Sequence, residues 1–312
     1  MMQSLHKKSW FDRYREDLPR SLQKGKYIFI VTFLFLPVVN FCIFYIGINF
    51  NSILMAFQKQ IGYRFEWSFY NFRNLFNAMS ANSQSLIVAI KNTAMFFVLD
   101  TIIMFPLTFY ITYCFYKKLA GSKIFRVIIF LPSVMPGMVA VTVFKNMFGF
   151  EGIINNILDL MHIPRIPAVL DSDTYAIYGV LFYCFWAGMS ANVLLFQGGM
   201  RRIPEEVLEA AQIDGCTNTR ELFNVIIPMM YGTLSTLLVL NVSSVFTVSG
   251  PILLLTGGYH NTQTISFWIY DQTMSAQYNF PAAAGMFFTL VALPLVIVTR
   301  KLVNHFDPAV DY

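Results

Sequence analysis

Residues 201–228 read RRIPEEVLEAAQIDGCTNTRELFNVIIP, the longest charged passage lying between two long apolar runs. Pro204 suits the first position of a helix, where its missing N–H leaves no intrahelical bond unmade. Glu205 and Glu206 follow in the first turn, where the positive end of the helix dipole favours anions. The helix runs on through Val207, Leu208, Glu209, Ala210 and Ala211 toward Asp214, and Gly215 offers a left-handed stop. Asn218, with Glu221 three residues on, resembles a capping box that opens a second helix leading to Pro228. The passage is thus a short helix, a glycine turn and a new helix beside a membrane. It forms a rigid projection, shaped to be gripped.

The membrane follows from composition. The 312 residues are 56% hydrophobic and 17% aromatic, and only 12% are charged. Soluble domains carry about 25% charged residues, so a polytopic membrane protein forming one bundle is the better class. The net charge of +5 is modest, and its basic residues flank apolar runs rather than cluster on one face as a nucleic-acid partner would require. Cys42, Cys114, Cys184 and Cys216 are dispersed singly, with neither metal-ligand spacing nor a disulfide framework. The four histidines are scattered and suggest no metal site or catalytic dyad.

Spanning helices need about 20 apolar residues. Six segments qualify: Tyr27–Ile48, Ala94–Phe115, Val127–Met147, Ala176–Gln197, Val225–Val248 and Ala282–Val303. Pro37, Pro106, Pro132, Pro136 and Pro228 lie in or at the ends of these spans, as membrane helices tolerate. Lys and Arg then report orientation. One side holds 16: seven in residues 1–26, four at Lys117, Lys118, Lys123 and Arg126, three at Arg201, Arg202 and Arg220, and two at Arg300 and Lys301. The other side holds six: Lys59, Arg64, Arg73, Lys91, Lys145 and Arg165. Both termini and the 201–228 loop therefore face the cytoplasm. Residues 1–26 read as a retained cytoplasmic tail, with no cleavage-like site before the first apolar run. Residues 27–303 read as the transmembrane unit, and 304–312 as a cytoplasmic tail.

Three connections fall outside. Residues 49–90 are aromatic-rich, with an amphipathic piece near Phe69–Met79. Residues 149–175 read as a short helix followed by loop, from Gly152, Pro164 and Pro167. Residues 250–281 contain no Lys or Arg.

Glu209-Ala210-Ala211, Gly215 and, nine residues later, Val225-Ile226-Ile227-Pro228 resemble the EAA loop of binding-protein-dependent ABC importer permeases. That signature runs E-A-A, three residues, G, nine residues, I-x-L-P; Val225 and Ile227 are conservative departures. Thr256-Gly257-Gly258, Asn261-Thr262-Gln263-Thr264 and Ile269-Tyr270 resemble the family's outer segment, with Tyr259 where the family often has Pro. The likeness covers roughly the last two-thirds of the chain. It implies an all-α membrane protein, a six-transmembrane-helix bundle of the type I ABC importer permease kind, multi-pass in a bacterial-type plasma (inner) membrane.

The resemblance further implies that the loop docks on a separate ATPase. The coupling residues would be Glu205, Val207, Leu208, Glu209, Ala210, Ala211, Asp214, Gly215 and Pro228. The plainer alternative is a connector lying on the lipid surface. Surface helices are rich in Lys and Arg on the polar face, whereas this one is acidic and unsuited to anionic lipid. No G-x-x-x-x-G-K-[ST] phosphate loop occurs, so ATP would be bound by a partner and the chain itself would need no cofactor. The partners implied are ABC ATPase subunits, a second permease (a different chain), an extracytoplasmic solute-binding protein, membrane lipid and a small solute.

For the substrate path, Trp186, Gly188 and Asn192 fall within about one and a half turns of the fourth span. In sugar permeases that this chain resembles, a Trp-x-Gly element lines the path. Asn241 and Ser244 share a face of the fifth span, where the same family binds sugar hydroxyls. Such groups also simply hold membrane helices together. Asp100, inside the second span, is either functional or a carboxyl near the outer end paired with a neighbouring helix. These elements point to carbohydrate, resembling the maltose, glycerol-phosphate and oligosaccharide permeases. The alternatives are a non-sugar solute or a stand-alone secondary transporter, which should show inverted repeats and ion-coupling residues. An embedded enzyme lacks any convergent His, Cys or carboxylate cluster.

Overall fold

The computed structural model describes residues 20–62, 64–80, 84–275 and 277–306, with side chains from residue 25 onward. Most of the expected tails, residues 1–19 and 307–312, lie outside the described residues. Among those described, five helices are long and apolar enough to cross a membrane, and a bent pair makes a sixth. Among the described residues the expected third span, Val127–Met147, is displaced: the helix long and apolar enough to cross there runs Gly137–Leu160, and the other five expected spans are present with several ends moved.

The first span runs Gly25–Ala56, past the expected end at Ile48. The polar side chains of its continuation are satisfied within the helix: Asn49 Nδ2 donates to the Tyr45 carbonyl at 2.6 Å, and Ser52 Oγ to that of Ile48 at 3.0 Å. The second span, Gln84–Tyr116, starts ten residues before the expected Ala94, and its turn Leu99–Met104 is π-helical. That wide turn lies just N-terminal to Pro106, which lacks the N–H a regular turn would use. The fourth span, Ala176–Met200, and the sixth, Asn279–His305, hold close to expectation.

The third span is broken rather than continuous. Ser122–Val134 and Gly137–Phe148 are separate helices, because Met135 is extended (φ −91°, ψ 143°) ahead of Pro136. A residue before proline is pushed out of the helical region. The fifth span bends by 78° between Asn218–Met229 and Tyr231–Thr247. Its expected straight course from Val225 to Val248 is therefore corrected: residues 225–229 belong to the inner arm, and the crossing starts at Tyr231. Pro228 sits within the arm's last turn. Gly199 lets the fourth span approach this bend, since a Cβ there would lie 2.6 Å from Met230 Cε and 3.2 Å from Thr233 Cγ2.

Two clusters organise the bundle. The inner one joins the second, fourth and fifth spans through Phe105, Phe109, Phe196, Met200, Leu222 and Ile226. Phe196 receives Phe105 and Phe109 edge-on at 5.2 and 5.3 Å between ring centroids. The outer cluster joins Phe96, Phe144, Val180, Ile252 and Phe267. Outside, the amphipathic piece appears as Tyr70–Ser80 and the short helix as Ile153–Leu160. An unanticipated hairpin pairs Gln58–Ile61 with Arg64–Trp67.

Candidate functional site

The inner projection is built much as its sequence reads, with two shifts of one residue. The helix is Glu205–Ile213, and Pro204 precedes it in extended conformation (ψ 134°) instead of occupying its first turn. Gly215 takes φ +74°, and its N–H bonds the Gln212 carbonyl at 3.0 Å while that of Cys216 reaches Ala211 at 2.9 Å. This is a Schellman termination, which a Cβ at Gly215 would strain. The second helix is capped by Thr217, whose Oγ1 accepts from the Arg220 N–H at 3.5 Å, so the expected Asn218–Glu221 box does not form.

Glu221 turns inward instead. It is only 1% exposed, and Oε2 lies 2.7 Å from Lys117 Nζ at the inner end of the second span. Beside this pair, Tyr113 Oη donates to the Asn218 carbonyl at 2.9 Å. Leu208 is buried among the inner cluster, fastening the projecting helix to its own bundle rather than offering itself outward. Glu205, Val207, Glu209, Ala210, Asp214 and Gly215 remain exposed, Ala211 half-buried. Ile213, not singled out from the sequence, is the most exposed large apolar residue of the loop at 87%. Acids around an exposed isoleucine make a surface that a complementary groove can grip.

A cavity of about 620 Å³ opens between the second, fourth and fifth spans, lined by Asp100, Gly188, Asn192, Asn241 and Ser244 among others. Asn241 Nδ2 donates to Asp100 Oδ2 at 2.8 Å, and Thr101 Oγ1 donates to Asn241 Oδ1 at 3.3 Å. Ser244 Oγ spends its proton on the Asn241 carbonyl at 2.8 Å, leaving lone pairs for a ligand. Asp100 thus belongs to the cavity wall, joined to the fifth span. Trp186 does not line the cavity. Its Nε1 donates to the Ile128 carbonyl of the third span at 3.3 Å, and its ring packs on Phe144.

Ser249, Gly250 and Pro251 line the cavity on its outer side. The segment that follows is seated on the second span, since Asn92 Nδ2 donates to the carbonyls of Asn261 (2.7 Å) and Gln263 (2.8 Å). The Ile265 N–H donates to Thr93 Oγ1 at 2.9 Å. Both the outer segment and the inner projection therefore anchor on one helix. The sequence signal for the inner anchor was Glu221 itself, an acid adjoining Leu222 in a helix whose apolar residues turn inward.

The family model for binding-protein-dependent transport system inner membrane components matches residues 102–312. The chain is 24% identical over 286 residues to the multiple sugar-binding transport system permease protein MsmF of Streptococcus mutans, covering 88% of this chain and 95% of that one. It is 28% identical over 221 residues to the lactose transport system permease protein LacF of Rhizobium radiobacter, covering 67% and 72%. A solved chain of a bacterial ABC transporter involved in the import of the acidic polysaccharide alginate has the same fold, with a TM-score of 0.77 at 22% identity over 92% of this chain and 99% of that one.

Proposed function

The chain belongs to the family of binding-protein-dependent transport system inner membrane components, and we propose that it is the permease subunit of an ABC importer for a neutral sugar or oligosaccharide. Sugar relatives spanning most of the chain support the solute class. Division into a tail (1–26), a permease unit (27–303) and a second tail (304–312) is part of this reading.

One observation carries the mechanism: the second and fifth spans are tied at two levels. Asp100–Asn241 joins them at the cavity, and Lys117–Glu221 with Tyr113–Asn218 joins them at the projection. Asp100 and Lys117 stand about 25 Å apart along one helix at 1.5 Å per residue. A push on Glu205–Ile213 therefore reaches the cavity wall through a stiff element rather than through loops. ATP-driven closure of a partner ATPase pair supplies the push, the exposed acids receive it, and Leu208 with the Lys117 pair passes it into the bundle. The cavity then alternates its access as this chain rocks against a second permease, a different chain. The first span buries none of its apolar window, leaving its flank for lipid or that second permease. A loaded extracytoplasmic binding protein delivers the solute to the outer rim.

A permease for an anionic solute is the weaker reading. Among the described residues no Lys or Arg lines the cavity, whereas Asp100 does. A carboxylate accepts from sugar hydroxyls and repels anions. The test is to purify the tagged chain from its native membrane, identify what co-purifies, and titrate the accompanying binding protein with neutral and acidic sugars. An ATPase and a binding protein selective for neutral sugars support the assignment; a preference for uronates or organic acids overturns the solute class.

A further inference from the structure

A second cavity, about 850 Å³, opens on the inner side between the second-to-third connection and the end of the fourth span. Lys118, Lys123, Arg126 and Arg201 line it, and among the described residues no acid does. It also receives the start of the Ser122–Val134 helix, which has no acid in its first turn and no side-chain cap. Four cations thus line one hollow. Gln197, half-buried near the end of the fourth span, lines the hollow as well.

We propose that this cavity binds the phosphate headgroup of an anionic phospholipid from the cytoplasmic leaflet. Free phosphate would satisfy the cations equally well, so the choice of a lipid rests on what adjoins them. Ile124 lines the cavity and is exposed, and Val127, Ile128 and Leu131 continue an exposed apolar strip along the same helix. Acyl chains lie along that strip while the headgroup sits among the cations. Arg126 is held ready, its guanidinium 5.5 Å from the Phe115 ring centroid and Nη2 3.5 Å from the Phe115 carbonyl. The cavity lies at the cytoplasmic ends of the second and fourth spans, Gln84–Tyr116 and Ala176–Met200. Basic pockets of this kind between helices suit anionic headgroups. Arg201 adjoins the projecting helix, so an occupied site would brace the base of that helix.

Native mass spectrometry of the full-length chain in detergent, titrated with phosphatidylglycerol and with phosphatidylcholine of the same acyl chains, tests this. Preferential phosphatidylglycerol binding is expected, weakened on the order of 30-fold in Lys123→Gln/Arg126→Gln. A control, Lys145→Gln/Arg165→Gln, removes the same charge elsewhere and should bind as the parent does. Circular dichroism confirms that each variant is folded. Equal binding of the two lipids, or an unchanged affinity in a folded cavity variant, overturns the proposal. Full displacement of the lipid by glycerol phosphate alone overturns the choice of a lipid over a soluble anion. If the cavity variant keeps its lipid but sheds a co-purifying protein, the hollow is a protein contact and the proposal fails.

Discussion

Glu221 and Lys117 lie 104 residues apart in sequence, yet their side chains meet at 2.7 Å with the carboxylate shut away from solvent. Removing one partner from such a pair strands the other, at a cost of about 3 kcal/mol or more, whereas replacing both with apolar side chains is often nearly neutral. Lys117→Met should therefore lower the thermal unfolding temperature of the purified protein, and Lys117→Met/Glu221→Met should recover most of the loss. ATP-driven uptake should stay depressed in the double variant, because one of the two inner ties is gone. Full uptake in a folded double variant would remove the pair from the transmission path.

Gly215→Pro cannot adopt φ +74° and removes the N–H that bonds Gln212, so it misdirects the exit from the projecting helix. Glu209→Lys reverses one of the exposed charges without touching the core. Both variants should abolish uptake and loosen retention of the ATPase while far-UV circular dichroism of the bundle is unchanged. Normal uptake in both would refute the coupling role.

Asn241→Ala leaves Asp100 without its amide donor and should alter the rate or sugar preference of uptake, with the ATPase still retained on purification. Asp100→Asn should raise uptake of acidic sugars relative to neutral ones, since among the described residues Asp100 is the only carboxyl on the cavity wall. A sugar panel identical to the parent's in both variants would retire the cavity as the solute path.

Trp186→Phe keeps an aromatic ring but loses the bond to the Ile128 carbonyl. Uptake should remain within about twofold, with stability falling by about 1 kcal/mol. A large change in sugar preference would return Trp186 to the path.

What the sequence disclosed tracks the range of the forces involved. Apolar length and Lys/Arg placement are properties of a segment in its solvent, so the spans and their orientation could be read from residues alone. The Gly215 stop could be read as well, because it rests on one residue's backbone freedom. The bend at Met230 could not, and neither could its close approach to Gly199 of the fourth span, which is a tertiary contact. That Trp186 packs toward the third span while Asp100 lines the cavity was out of reach for a related reason. Helical spacing says which residues share a face, but which neighbour that face meets is decided by tertiary packing. Glu221 was assigned to a local cap because local hydrogen bonds are visible in sequence, whereas its partner on the second span is not.

The most direct measurement is photo-crosslinking from a light-activated residue placed at position 213, the exposed apolar tip of the projecting helix, in native membranes. The expected product joins this chain to an ATP-hydrolysing subunit and disappears in Gly215→Pro. A product containing only lipid, or labelling of position 213 by a membrane-impermeant reagent from outside the cell, would contradict the coupling of this permease to a separate ATPase.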